Sequence, residues 1–169
     1  EIENARNRQD SVGGILETVI SGVEAGIGEP TFSSLESMLS EAMFSIPAVK
    51  GIEFGSGFDF ANMYGSEAND AWIIQDNKVI TQTNHNGGIN GGISNGMPIT
   101  FKTVIKPTPS ISLEQDSVNY ETKENVKLSI SGRHDPAIIH RARAVVDAMT
   151  ALVIADAYMM TYGRKWFEK

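Results

Sequence analysis

The sequence predicts an α+β fold, on three observations. Two stretches repeat apolar residues every three to four positions, the spacing of an amphipathic helix. Several shorter stretches alternate apolar and polar residues or are rich in β-branched ones, as strands are. Turns rich in glycine, proline and asparagine separate these pieces, and no internal repeat or low-complexity tract occurs. The 169 residues are 41 % hydrophobic and 21 % charged, which suits one domain, residues 1–169, with a real core.

Bulk composition also excludes functions. Cysteine is absent, so neither a disulfide nor a thiolate metal site can form, and no metal site is expected. The lack of cysteine fits a reducing compartment. A net charge of −7 argues against a general nucleic-acid binder, because phosphate contact needs a basic face. A local basic pocket remains compatible with it. Asp147 and Asp156 interrupt the apolar residues near the C-terminus, so no membrane span or membrane partner is expected. No signal peptide opens the chain, and its first residue is Glu1.

Residues 1–11 are polar and aperiodic, and are expected to be irregular. Asp10-Ser11-Val12-Gly13-Gly14 leads into Ile15 to Val23, read as a strand with Leu16, Thr18 and Ile20 on one face. Gly26 to Pro30 is a turn. Ser33-Ser34-Leu35-Glu36 has the form of a capping box, with Ser33 as N-cap. Leu35, Met38, Leu39, Ala42 and Met43 then mark a helix ending before Pro47, with both methionines as core filler. A short strand follows at Ile52 to Phe54, then a glycine-punctuated loop. Trp72 to Ile74 and Lys78 to Thr81 form a hairpin around Gln75-Asp76-Asn77.

Asn84 to Gly96 holds five glycines in thirteen residues: Gly87, Gly88, Gly91, Gly92 and Gly96. Glycine lets main chain come close to a neighbour or a ligand. The segment is not a linker, because Ile89 and Ile93 anchor it, and it is not GxGxxG. On composition it is a structural turn cluster or a ligand loop, and both readings stand. Ile99 to Ile105 alternates and reads as a strand. Short extended pieces are expected near Ile111 to Leu113 and Ser117 to Tyr120, and a strand at Val126, Leu128 and Ile130. Asp135-Pro136 is a helix start, with Asp135 as N-cap and Pro136 at N1. A long helix is predicted over about 137–162, apolar on more than one face and therefore buried or packed on another subunit.

Four segments, in this order, resemble the chorismate synthase family. They are Asp10 to Gly14; Ile46-Pro47-Ala48-Val49-Lys50-Gly51-Ile52-Glu53-Phe54-Gly55-Ser56-Gly57-Phe58; Asn84 to Gly96 followed by Lys106-Pro107-Thr108; and Gly132-Arg133-His134-Asp135-Pro136. Family members are about twice as long. Their N-terminal half carries a Gly-Glu-Ser-His-type motif and a Ser-Ala/Gly-Arg motif, with two catalytic histidines and several substrate arginines. Neither motif occurs here. The resemblance therefore implies the C-terminal half of such an enzyme, cut before the Asp-Ser-x-Gly-Gly strand, and a first residue other than methionine agrees with a fragment.

For the fold, the resemblance implies part of a β-α-β sandwich of antiparallel sheets flanked by helices. It implies a cytoplasmic homotetramer of the shikimate pathway, which leads to the aromatic amino acids. The activity implied is that of a lyase dependent on reduced FMN, removing phosphate and a ring proton from 5-enolpyruvylshikimate 3-phosphate to give chorismate. The N-terminal half is an implied partner. NADP enters only as a family reductant for the flavin, and no NADPH motif is visible.

Carried over by position, Pro47 and Ala48 match main-chain flavin contacts, and Gly91 a glycine lying against the flavin. Lys106, Pro107, Thr108, Pro109 and Ser110 match a run holding the FMN phosphate and ribityl chain; Pro109 departs from the usual small hydroxyl residue. Arg133 resembles an arginine serving both flavin and substrate. Asp135 resembles an aspartate acting near flavin N5. Without the resemblance, Asp135 is an N-cap, Arg133 a surface ion pair, and Lys106 a solvated strand end. His85 and His134 are expected to be structural, and Asp70, Asp147 and Asp156 solvated or structural. Three functions compete: the C-terminal part of the enzyme, inactive alone; a non-catalytic flavin- or anion-binding module; and a structural domain whose glycines serve chain crossing.

Overall fold

The computed structural model describes residues 1–163. In chain order they form helix α1 (Ile2–Asn7), strand β1 (Gly14–Ile20), helix α2 (Leu35–Ser45) and strand β2 (Val49–Phe54). A short helix α3 (Gly65–Ala68) precedes the hairpin β3 (Trp72–Gln75) and β4 (Lys78–Thr81). Two-residue strands β5 (Ile89–Asn90) and β6 (Ile93–Ser94) lead to β7 (Ile99–Ile105). Strands β8 (Gln115–Asn119) and β9 (Glu124–Leu128) pair before the long helix α4 (Ile139–Tyr162).

The fold is α+β. Its centre is a three-stranded antiparallel sheet in the order β1-β7-β2. β7 is the middle strand because its alternation is the strongest: Ile99, Phe101, Thr103 and Ile105 are buried on one face. Leu16, Thr18 and Ile20 of β1 share that face, as the alternation predicts. Helices α2 and α4 cover it, with Leu35, Leu39 and Met43 of α2 fully buried beside Val146 and Ala157 of α4. Burying side chains of that size supplies roughly 1.5–3 kcal/mol each. The opposite face, with Ile15, Val19 and Val104, is open. The described residues thus build one sheet layer and one helix layer. α4 is long and apolar enough to cross a membrane by length and composition. One of its faces is used on the sheet and on α2, whereas Val145, Leu152, Met159 and Met160 remain exposed.

Local expectations shift in several places. The N-cap of α2 is Ser34, not Ser33; its Oγ accepts from Ser37 N at 3.1 Å. The cap moves because Leu35 N is already bound by the Gly92 carbonyl at 2.9 Å, which places the first turn one residue later. Thr31–Ser33 is a turn of 3-10 helix instead. α4 begins at Ile139, so Asp135 is not its N-cap. Pro136 O accepts from Val12 N at 2.9 Å, holding the Asp-Pro segment outside the helix. The aperiodic N-terminus contains α1, and β8 and β9 are fixed by pairing with each other rather than by a buried face.

Candidate functional site

The segments singled out by sequence lie at the two ends of β7. Its seven residues hold those ends roughly 20 Å apart at ~3.3 Å per residue.

At the first end, the glycine segment is tied down by hydrogen bonds, with the buried Asn84 Oδ1 left without a partner among the described residues. Buried Asp70 accepts from His85 N at 2.7 Å, Asn86 N at 2.9 Å, Asn86 Nδ2 at 2.8 Å and Thr83 Oγ1 at 2.8 Å. Burial alone would push this carboxyl up; the four donors outweigh it and hold the group below the usual aspartate value. Asp70 is therefore structural, the clamp of the Asn84–Gly88 turn. His85 Nδ1 lies 2.9 Å from Ser56 Oγ, and Ser56 N donates to His85 O at 2.7 Å. Gly87 has φ +62°, and a methyl group there would press on Gly55 and on the Thr100 carbonyl. Gly91, at the β5–β6 turn, is exposed, with open space beside its Cα.

At the other end, Lys106, Pro107, Thr108 and Pro109 line a cavity of about 320 Å³ with Ala48, Lys50 and Ile138. That volume sits at the lower end of the ~300–1,000 Å³ range of small-molecule sites. Two features shape it. Ala48 has φ +74°, a left-handed conformation rare outside glycine, and its carbonyl accepts from Lys106 N at 2.9 Å. Val49 pairs with Ile105 and Gly51 with Val104, so Lys50 is the extra residue of a β-bulge. Behind the wall, Ser11 Oγ donates to Thr108 O at 2.6 Å. A methyl group on Gly13 would collide with the Ile105 carbonyl, so the Asp10–Gly14 motif is the backing of this run. Pro47 is exposed at the entry to β2.

Arg133, His134, Asp135 and Pro136 line a second cavity of about 720 Å³ with Arg6 and Arg141. Asp135 Oδ2 pairs with Arg141 Nη2 at 3.1 Å. His134 links this loop to the end of the Lys106–Ser110 run: its Nδ1 is 3.2 Å from Ser110 Oγ, and its Nε2 is 3.0 Å from Ile130 O. Nε2 donates to the Ile130 carbonyl and Nδ1 meets the Ser110 hydroxyl, a structural role. Lys106 lies on the smaller of these two cavities, Arg133 and Asp135 on the larger and Gly91 on neither, and among the described residues no cluster of His, Asp and Glu could hold a metal.

Sequence reasoning missed three cations at this end. Lys50 lay inside a quoted motif, but the bulge that places it depends on pairing with β7. Arg141 was hidden by starting α4 two residues early. Arg6 sits on a six-residue helix with no periodic signal.

The chain matches the sequence profile described as chorismate synthase over residues 1–159. It is 51 % identical to the chorismate synthase of Lachnoclostridium phytofermentans, over 99 % of this chain and 47 % of that protein. It is 52 % identical to that of Archaeoglobus fulgidus, over 89 % of this chain and 42 % of that protein. A solved structure described as the crystal structure of chorismate synthase superposes with a TM-score of 0.76 at 28 % identity, covering 96 % of this chain and 41 % of that one. The chain spans less than half the length of the curated relatives it matches.

Proposed function

The chain belongs to the chorismate synthase family, and on that premise we propose that it supplies the flavin-phosphate wall and the Arg133–Asp135 corner of a reduced-FMN site. The reaction is the anti-1,4-elimination of phosphate from 5-enolpyruvylshikimate 3-phosphate. The ring C–O bond to phosphate breaks, a ring proton leaves, and chorismate and inorganic phosphate result. When bound, reduced FMN supplies an electron-rich ring against the substrate, with no net redox change.

The residues present fit such a group. Lys106 offers positive charge at the smaller cavity. Thr108 Oγ1 is buried with no hydrogen-bond partner, a polar atom that a ligand oxygen would satisfy. Ala48, Pro107 and Pro109 keep that wall free of bulky side chains. Arg133 presents an exposed guanidinium beside Asp135 for a substrate anion. Asp135, oriented by Arg141, would be the group to hold or pass a proton when the flavin is bound. Pro47 provides main-chain contact at the rim. Gly91 lies at the other end of β7 and lines neither cavity, so its proposed flavin contact would be made apart from this corner.

The single observation carrying the reading is the Ser110–His134 contact, which brings the Lys106–Ser110 run against the Arg133–Asp135 loop. The N-terminal half of the family's chain is the proposed partner, within a cytoplasmic homotetramer. The test mixes this chain with the N-terminal half of a relative, under reduced FMN, and follows chorismate and phosphate. Turnover is expected from the mixture and none from this chain alone; turnover by this chain alone would overturn the division of labour. The two lysines without carboxylate partners among the described residues and the unpartnered Thr108 hydroxyl at the smaller cavity also suit one other reading, a non-catalytic flavin- or anion-binding module. In that case the mixture stays inactive and FMN affinity is indifferent to substrate.

A further inference from the structure

We propose that Lys50, turned out by the β-bulge, is the second cation of a phosphate-monoester site it forms with Lys106 and Thr108. The smaller cavity holds two lysines and no acid among its lining residues, in a chain whose net charge is −7. Local charge is therefore inverted against the whole molecule, which is what an anion site requires. The β-bulge makes this possible. In a regular ladder one residue of β2 would stand opposite each residue of β7; here Lys50 has no partner of its own and is exposed at the cavity wall. Lys106 reaches the same cavity from the end of β7, its backbone fixed by Ala48 O at 2.9 Å. Neither lysine has a carboxylate partner within ion-pairing distance among the described residues.

The ligand class follows from the donors. A phosphate monoester carries about −1.5 to −2 charge at pH 7 and three acceptor oxygens. Two ammonium groups match that charge, and the unpartnered Thr108 hydroxyl supplies a neutral donor for a third oxygen. A carboxylate would leave one lysine without a counter-charge. This inference rests on the flavin reading only for the source of the phosphate. Free orthophosphate and FMN share the chemistry, and riboflavin lacks it.

The test titrates the 169-residue chain with FMN, riboflavin and inorganic phosphate separately, in wild type, Lys50→Met and Lys50→Arg. Wild type is expected to bind FMN over riboflavin and to bind phosphate. Lys50→Met should weaken FMN and phosphate about tenfold, the worth of one charge-assisted contact, and leave riboflavin unchanged. Lys50→Arg should keep most of the binding, and added salt should narrow the gap between wild type and Lys50→Met. Equal FMN and phosphate binding by wild type and Lys50→Met overturns the role of Lys50 while leaving the flavin reading intact. Phosphate binding that depends on Lys50, without FMN binding, supports the anion site and removes the flavin reading. Binding of neither phosphate nor FMN by wild type overturns both.

Discussion

The two ends of β7 use unusual backbone for opposite purposes. At the glycine end most close-packed positions are answered from within: Asp70 receives four hydrogen bonds, and Gly55 and Gly87 lie back to back, while Asn84 Oδ1 is a buried polar atom left without a partner. At the lysine end the left-handed Ala48 and the bulge at Lys50 leave a cavity, two cations without carboxylate partners and an unsatisfied hydroxyl. Glycine density therefore marks packing in this molecule. Interrupted pairing beside two cations without carboxylate partners marks the place where an anion would complete the structure. If this contrast is correct, substitutions at the first end should change stability, and those at the second should change binding.

The largest expected effect is at Asp70. Asp70→Ala leaves two backbone N–H groups and the Asn86 amide without their acceptor, at about 1–3 kcal/mol for each buried group. A loss of about 3 kcal/mol or more in urea unfolding at neutral pH is expected. The pH dependence has a definite sign. The folded carboxyl titrates below its ordinary value of 3.8, so its contribution is complete above that value and is lost as pH falls through the lower folded value. Asp70→Asn should lack this acid-side decline. An unchanged unfolding midpoint in Asp70→Ala would remove the first half of the contrast.

A smaller effect separates two neighbouring serines at the same end. Ser34→Ala should cost about 1 kcal/mol, because its hydroxyl caps α2, while Ser33→Ala should be near neutral. The reverse ranking would restore the capping box that the sequence suggests. That box failed because the Gly92 carbonyl takes Leu35 N, a contact across 57 positions of chain that no local pattern contains.

Legibility follows the same division between local and distant causes. The sheet face of β1, the burial of β7, the end of α2 before Pro47 and the β3–β4 hairpin all come from local periodicity and turn chemistry. The start of α4 did not, because the Pro136 carbonyl answers to Val12 rather than to its own helix. The motif residues at the lysine end were visible, and Ala48, Lys106, Pro107, Thr108 and Pro109 do meet in one cavity. Arg133 and Asp135 meet in the larger one, and Gly91 in neither. Lys50, Arg141 and Arg6 were not visible as site residues. A bulge, a helix start and a six-residue helix are each set by tertiary contacts.

Only a small stability change is expected at Arg141, and it tests the second half of the contrast. Its pair with Asp135 is short, at 3.1 Å, but the arginine side chain is 82 % exposed. An exposed pair of this kind is worth roughly 0–1 kcal/mol, because water screens it and ordering both side chains has an entropic cost. Arg141→Ala should therefore move the urea midpoint by no more than about 0.5 kcal/mol. It should nevertheless reduce turnover of the reassembled two-part enzyme, since Asp135 loses the partner that orients it. Restoration by Arg141→Lys would be partial, because a single ammonium lacks the guanidinium's planar fork. A large stability loss with unchanged turnover would make the Arg141–Asp135 pair a fold-holding contact, and this end of β7 would then resemble the other.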